Sequence, residues 1–339
     1  MALTATAGGV GTLQSTSGFG AKYGELSEAD AFTIQKKFLT ISKKLVTMAR
    51  FAQKETKPLH EGKDIRWRRY ERFQVNTTTL SEGVTPESDT LQQTTIMATL
   101  SQYGRWVPIT DVMLALSTDP IVAQITERQA IQMAETMDTL AYSAFKAGTN
   151  VVTVASGYGI HGSNSSTTVA PDGKATYIQL AVKSLEGKDA VKISNVVKPA
   201  SEYNTEPVAE GFFAITHPDV RPNIETIAGF TPVEKYANYG AVMAGEIGKV
   251  GMVRFIATTL ATPTGTTYST LIFAKDAVGC VSLSGKGAVT PTVVTPRASA
   301  EDPLGQRGSV GYQYWYVCKI LQDNWMVRLD HIAISPTVS

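Results

Sequence analysis

The chain has 339 residues, 43% of them apolar and 18% charged, with 31 Lys and Arg against 30 Asp and Glu. This much apolar material suits a sizeable core in about two domains and excludes intrinsic disorder for most of the length. A formal charge of +1 argues against nucleic-acid binding by bulk electrostatics, and two cysteines with four histidines, none at zinc spacing, exclude a zinc finger.

In chain order, residues 1 to about 24 are small, polar and Gly-rich, without the basic start or apolar centre of a signal peptide. They read as a flexible arm. No later stretch approaches the ~20 apolar residues of a membrane span, so a cytoplasmic protein is expected, with Cys280 and Cys318 reduced and buried. A disulfide between the two stays open. Ser27 then opens a predicted helix in which Ala31, Ile34, Phe38, Ile41, Leu45, Met48 and Ala52 recur in steps of three and four, with Pro58 as its latest end. Lys36, Lys37, Lys43, Lys44, Arg50 and Lys54 line its other side. That basic face is either solvated, or a contact for an acidic partner, or a membrane-surface stripe.

The run from Lys63 to Val75 alternates with period two, Ile65, Trp67, Phe73 and Val75 on one parity and Arg66, Arg68, Tyr70 and Arg72 on the other. A strand with one cationic face is the prediction. Residues 76–90 are polar and aperiodic, and residues 91–110 are again extended and rich in Thr and aromatic residues. Together they suggest a long projecting β-hairpin. Thirteen strand residues at ~3.3 Å each would reach about 43 Å.

Charge is split along this projection. Residues 36–72 hold twelve Lys/Arg and four Asp/Glu, net +8, while residues 73–135 hold two and seven, net −5. Such complementary arrays suit head-to-tail association of identical copies, or else neutralise each other within one subunit.

Asp119 and Pro120 make a helix start as N-cap and first helical residue, Val122, Ile125, Met133, Met137, Leu140 and Ala144 follow at helical spacing, and Gly148 is a stop. Twenty-eight residues from Pro120 to Ala147 give a straight helix of about 42 Å. Beyond Val151 short apolar runs alternate with Gly/Pro-punctuated loops. VVTVAS, AVKISNVV, GFFAITH, VGMVRFIATT and LIFAKDAVGCVSL read as strands, TYIQLAVKSLE and HPDVRPNIETIAG as helices. The end reads as two strands around a turn at Gln322–Asn324, so the section is α+β, and no internal repeat is visible.

Chemical motifs are sparse. Gly157, Gly159 and Gly162 fit G-x-G-x-x-G after a strand, but SNSSTTVAPDG follows where a dinucleotide site needs a helix, so a Gly/Ser loop is the reading. P-loop, H-E-x-x-H and G-x-S-x-G patterns are absent. His217, before Pro218, is either a hydrogen-bonded loop residue or the base of an unrecognised triad. Sequons at Asn76 and Asn164 lack a secretory context.

The stretches GKDIRWRRYERF, LSEGVTPESDTL, ATLSQYGRWVPITD, DTLAYSAFKAG, FFAITHPDVRPNI and SVGYQYWYVCKILQDNWMVRLDHIAI cover most of the chain. In this order they resemble the major capsid proteins of tailed bacteriophages with the Hong Kong 97-type fold, in the group related to the coliphage N-four capsid protein. The resemblance implies an α+β fold with an N-terminal arm at residues 1–58 and an extended loop at 59–105. A spine helix and the first part of a peripheral domain would occupy 106–154, an axial domain 155–300, and returning C-terminal strands 301–339. It implies a non-enzymatic shell protein without cofactor or metal, forming pentamers and hexamers that close into an icosahedral head around double-stranded DNA. Portal protein, a separate scaffolding protein and a possible decoration protein would be further partners. DNA would be held weakly and non-specifically, in keeping with the neutral charge, and assembly would occur in the host cytoplasm. On this reading Arg66, Arg68, Arg69 and Arg72 meet Glu82, Glu87 and Asp89 of a neighbouring copy. Two alternatives stand beside it: a cytoplasmic α+β hydrolase with a triad near His217, and a phage tail or accessory structural protein.

Overall fold

A computed structural model describes residues 46–117, 120–154, 158–161, 177–193, 210–235, 244–284, 289–299 and 302–334. The arm at residues 1–24, most of the basic helix, Asp119, Gly157, Gly162, the Asn164 sequon and the end of AVKISNVV lie outside them. What is described of the basic helix is a single turn, α1 (Met48–Phe51). Ala52 then turns the backbone to extended, and Gln53–Lys57 form strand β1. Lys54, expected on the helix, therefore lies in a strand. Polar residues Gln53 to Lys57 carry no helical stripe, and their backbone is taken up by parallel pairing with β11 (Val278–Leu283).

The predicted extended run of residues 91–110 divides at Leu100. Its first half, β3 (Gln93–Thr99), pairs with β2 (Asp64–Tyr70), and its second half, β4 (Ser101–Thr110), pairs with β13 (Arg307–Ile320). Thr110 then caps a short helix that sequence reading missed, α2 (Asp111–Leu116), its hydroxyl accepting from the Met113 amide at 3.3 Å. The spine helix α3 spans Ile121–Lys146 with Pro120 at the N-cap, one position earlier than predicted for that proline. Gly148 follows the helix as predicted, and a Cβ there would lie 2.6 Å from Cε of Met326 and 3.2 Å from the Asp323 carboxylate.

Strand β13 organises a five-stranded sheet. One edge pairs with β4, and the other pairs with β12 (Val289–Val294) and then with β11, which carries β1 on its far side. On the face turned to α3, Tyr314 lies between Tyr103 and Tyr312 at centroid distances of 5.6 and 6.1 Å. Gln129 of α3 donates to the Val310 carbonyl at 2.9 Å and Tyr312 donates to Gln132 at 3.1 Å. Met48, Phe145, Phe213, Phe273, Tyr314 and Met326 form the buried core between helix and sheets.

A second, seven-stranded sheet runs in the order β5 (Val151–Thr153), β14 (Met326–Ile332), β10 (Thr267–Phe273), β6 (Phe212–Thr216), β9 (Val253–Ala257), β8 (Glu246–Val250) and β7 (Phe230–Pro232). Helices α4 (Tyr177–Glu186) and α5 (Arg221–Glu225) contribute Ile178, Leu185 and Ile224 to its core, against Phe212, Phe255 and Leu329. Two predicted strands are bounded differently. VGMVRFIATT opens with the turn at Gly251, where φ is +58°, so that its strand is β9 and only Val250 belongs to β8. LIFAKDAVGCVSL divides after Phe273 into β10 and β11, which lie in different sheets. The local signals were Gly251 and the Lys275–Asp276 pair, with Asp276 at φ of +57°, while the apolar flanks, buried on both faces, show no alternation to mark where a strand ends. The two C-terminal strands flank residues 323–325 as expected, but β13 joins the five-stranded sheet and β14 the seven-stranded one.

Cys280 and Cys318, expected as thiols, are joined as a disulfide. They stand opposite each other in the β11–β13 register with Cα atoms 4.1 Å apart, a proximity that no sequence spacing reveals.

Inside the seven-stranded sheet a polar chain ends on His331, which is 3% exposed. Nδ1 faces the Ile332 carbonyl at 3.1 Å and must donate there, so neutral Nε2 accepts from the Thr270 hydroxyl at 2.8 Å, and Thr270 in turn accepts from Thr216 at 3.1 Å. Burial lowers the His331 pKa from 6.5 to about 4, outweighing the Ile332 carbonyl and Asp330, which pull it up. The folded pKa is the lower one, so this stabilisation is complete above about 6.5 and is lost as pH falls toward 4. By pH 5 the loss is about 2 kcal/mol. Denaturant unfolding at pH 7 and pH 5 is expected to show that extra loss in the wild type but not in His331→Gln. Equal losses in both would place the acid sensitivity elsewhere.

Candidate assembly surface

Strands β2 and β3 form the predicted hairpin, in register from Asp64 opposite Thr99 to Tyr70 opposite Gln93. Period two holds: Ile65, Trp67 and Arg69 are half-buried, whereas Arg66, Arg68 and Tyr70 are exposed. Met97 and Thr95, opposite Arg66 and Arg68, complete an outer face that is both cationic and apolar. The strand is shorter than predicted, seven residues rather than thirteen, or about 23 Å. Pairing stops after the Glu71 amide donates to the Gln92 carbonyl at 2.9 Å. From Glu71 to Gln92 every residue is exposed, so Phe73 and Val75, predicted on the apolar parity, find nothing to pack on. Leu80, Val84 and Leu91 share that exposure.

The four arginines separate into two pairs. Arg69 turns inward, donating to the Leu321 carbonyl at 3.3 Å, to the Gln322 side chain, and to Glu71 at 3.0 Å. Glu71 sits below the ordinary carboxylate range because the Thr94 hydroxyl and then Arg69 stabilise its charge. Arg72 reaches Asp189 at 3.3 Å, an exposed pair of little strength. These two are thus neutralised within the subunit. Among the described residues, the side chains of Arg66 and Arg68 make no ion pair or hydrogen bond, and neither do Glu82, Glu87 or Asp89.

One structural polar residue lay hidden beside the helical stripe. Asp138 on α3 is fully buried, and its two carboxylate oxygens accept from the Thr47 amide at 3.1 Å and the Ala49 amide at 2.9 Å. It thereby fixes α1 onto α3. Burial raises its pKa despite those amides. Nothing but its place among apolar neighbours marks it in the sequence.

His217 does not form a triad. Its Nδ1 accepts from the Asp219 amide at 3.3 Å in the turn that starts at Pro218, and its ring lies 5.5 Å from that of Tyr268, whose hydroxyl donates to Asp219 at 2.8 Å. Among the described residues no serine hydroxyl reaches it, and no group of three or more His, Cys, Asp or Glu is placed to hold a metal ion. No described helix is long and apolar enough to cross a membrane.

Residues 93–329 match the model of the family described as phage capsid protein. The chain belongs to that family. Solved capsid structures share the fold of this phage capsid protein. The capsid of Ralstonia phage GP4 is 13% identical, with a TM-score of 0.61 over 99% of this chain and 100% of that one. For the cyanophage P-SCSP1u capsid the values are 15%, 0.59, 90% and 93%. For the head of Helicobacter pylori phage KHP40 they are 9%, 0.60, 93% and 98%. No curated protein matches. The Hong Kong 97-type fold implied by the six sequence stretches is thus the fold found, and the protein is a phage major capsid protein. Neither the family nor the His217 turn supports the hydrolase reading.

Proposed function

We propose that copies of this capsid protein close into an icosahedral head by laying the outer face of the β2–β3 hairpin against the exposed 71–92 segment of a neighbour. Arg66 and Arg68 then supply the cationic side, Glu82, Glu87 and Asp89 the acidic side, and Arg69 holds the hairpin on its own subunit. The observation that carries this is the complementary charge left unpaired on two exposed surfaces of one chain. Each exposed pair contributes only about 0 to 1 kcal/mol, but many repeated around a closed lattice add up while early errors stay reversible.

In the same reading residues 1–58 act as arm, 59–105 as extended loop, 106–154 as spine and peripheral elements, and 155–300 as axial domain, with 301–339 closing the chain. Assembly takes place in the host cytoplasm, with a separate scaffolding protein and a portal protein, around loosely held double-stranded DNA. The family similarity and the near-neutral charge support these assignments. Purified protein, alone and with its scaffold, is expected to give closed shells or pentamers and hexamers by electron microscopy. A permanent monomer would refute the reading, and tubes or open rings would favour a tail protein.

A further inference from the structure

The disulfide sits where three parts of the subunit meet. Cys280 of β11 pairs on one side with Lys54 of β1, the strand that follows α1, and on the other with Cys318 of β13. β13 in turn holds β4, the strand that leads out of the hairpin. Cys280 is 4% exposed among apolar core residues, and Cys318 lies half-buried at the edge of the same core. A buried thiol behaves as a small apolar side chain, so this core can form before the sulfurs join. The chain has no other cysteine to divert the pair.

The geometry points to a redox site that closes after assembly: Cys280 and Cys318 are thiols when the subunit enters the shell, and become a disulfide in the finished particle once it meets oxidising surroundings. The inference rests on the proposed assembly inside a host cell, whose interior keeps thiols reduced. Oxidised small-molecule disulfides of the glutathione class supply the chemistry. The less buried Cys318 thiolate attacks one sulfur of the oxidant and releases one thiol, and Cys280 then displaces the second. Two protein thiols lose two electrons and two protons, and one external disulfide becomes two thiols. The bond rivets the strand that carries β1 to the strand that carries the hairpin. It thereby locks the parts that contact neighbours, without having hindered their first rearrangements.

Particles released from producing cells directly into iodoacetamide, and others first exposed to oxidised glutathione, are digested with trypsin without reductant. Peptides 276–286 and 308–319 are expected to be separately alkylated in the first sample and joined in the second. Oxidation should raise the particle melting temperature by about 5 °C, reversibly with dithiothreitol, and should not raise it in the C280A/C318A variant. Joined peptides at the moment of lysis, or thiols still alkylated after oxidised glutathione, would overturn the inference. Because the wild type is compared with itself, a variant that folds poorly does not blur the answer. Electron microscopy of the same samples tests the capsid reading independently: missing shells refute assembly, whereas the peptides alone decide the redox site.

Discussion

Replacing Arg66 and Arg68 together by Glu is expected to abolish shell formation at low salt while leaving the subunit folded. Both side chains are exposed and unpaired in the subunit, so their reversal costs the monomer little. In the lattice each reversal turns an attraction of up to about 1 kcal/mol into a comparable repulsion, about 2 kcal/mol or more per subunit contact. That is a loss of roughly 30-fold in pairwise association, compounded at every contact of the shell. At 1 M salt, where screening acts over about 3 Å, much of the defect should disappear. Reversal of Glu82, Glu87 and Asp89 to Lys in the same chain should restore shells. Arg69→Glu is the informative contrast, because that guanidinium binds the Leu321 carbonyl and Gln322 of its own subunit. It should loosen the hairpin regardless of salt. Particle counts by electron microscopy and sedimentation at 50 mM and 1 M salt decide the matter. Normal shells from the double reversal at low salt would remove these arginines from the interface.

The alternation of Ile65 and Trp67 with Arg66 and Arg68 was legible because a hairpin packed on one face must repeat every two residues. The same rule failed beyond Tyr70, where Phe73 and Val75 continue the parity without any partner strand to enforce it. Likewise the spacing from Val122 to Ala144 located α3 to within a residue, whereas α2 escaped notice: it is six residues long and buries none of them. Long-range pairings stayed invisible for a different reason. That β1 would join β11, that the run 91–110 would change partners at Leu100, and that Cys318 would face Cys280 depend on registers between segments distant in the chain. Periodicity carries no information about those registers.

The site shows the same limit in its charges. Net +8 and −5 segments were countable, but which arginines remain free was not. Arg72 meets Asp189 only because the turn after α4 brings residue 189, with φ of +52°, beside the chain where it leaves β2 for the 71–92 segment. Arg69 meets Gln322 because the β13–β14 turn lies beneath it. Neither partner belongs to the −5 segment, since Glu71 lies within the +8 segment and Asp189 beyond both, so these two arginines are paired without joining the two charge arrays. What is left for a neighbour is Arg66 and Arg68.

Asp138→Ala is the substitution expected to damage the subunit itself. The buried Thr47 amide and the half-buried Ala49 amide would lose their acceptors, and an orphaned buried donor costs about 1 to 3 kcal/mol. Part of that is offset, because the carboxylate carries a desolvation cost of its own, recorded in its raised pKa. A net loss of about 3 kcal/mol, or about 5 °C in melting temperature, is the expectation. Hydrogen exchange should speed up first at Thr47 and Ala49, since the lesion frees α1 from the spine before it reaches the sheets. The pH dependence separates this mechanism from simple cavity formation. A carboxyl whose folded pKa is raised stabilises the fold below its ordinary value of 3.8, and that contribution is lost as pH rises through the folded value. The stability difference between wild type and Asp138→Ala should therefore widen as pH falls from neutral through the elevated carboxyl pKa. His331 is present in both proteins and cancels from the difference. A gap that stays constant across that range would mean that Asp138 acts by filling space, and a gap that narrows would mean that its charge, rather than its place as an acceptor, holds α1.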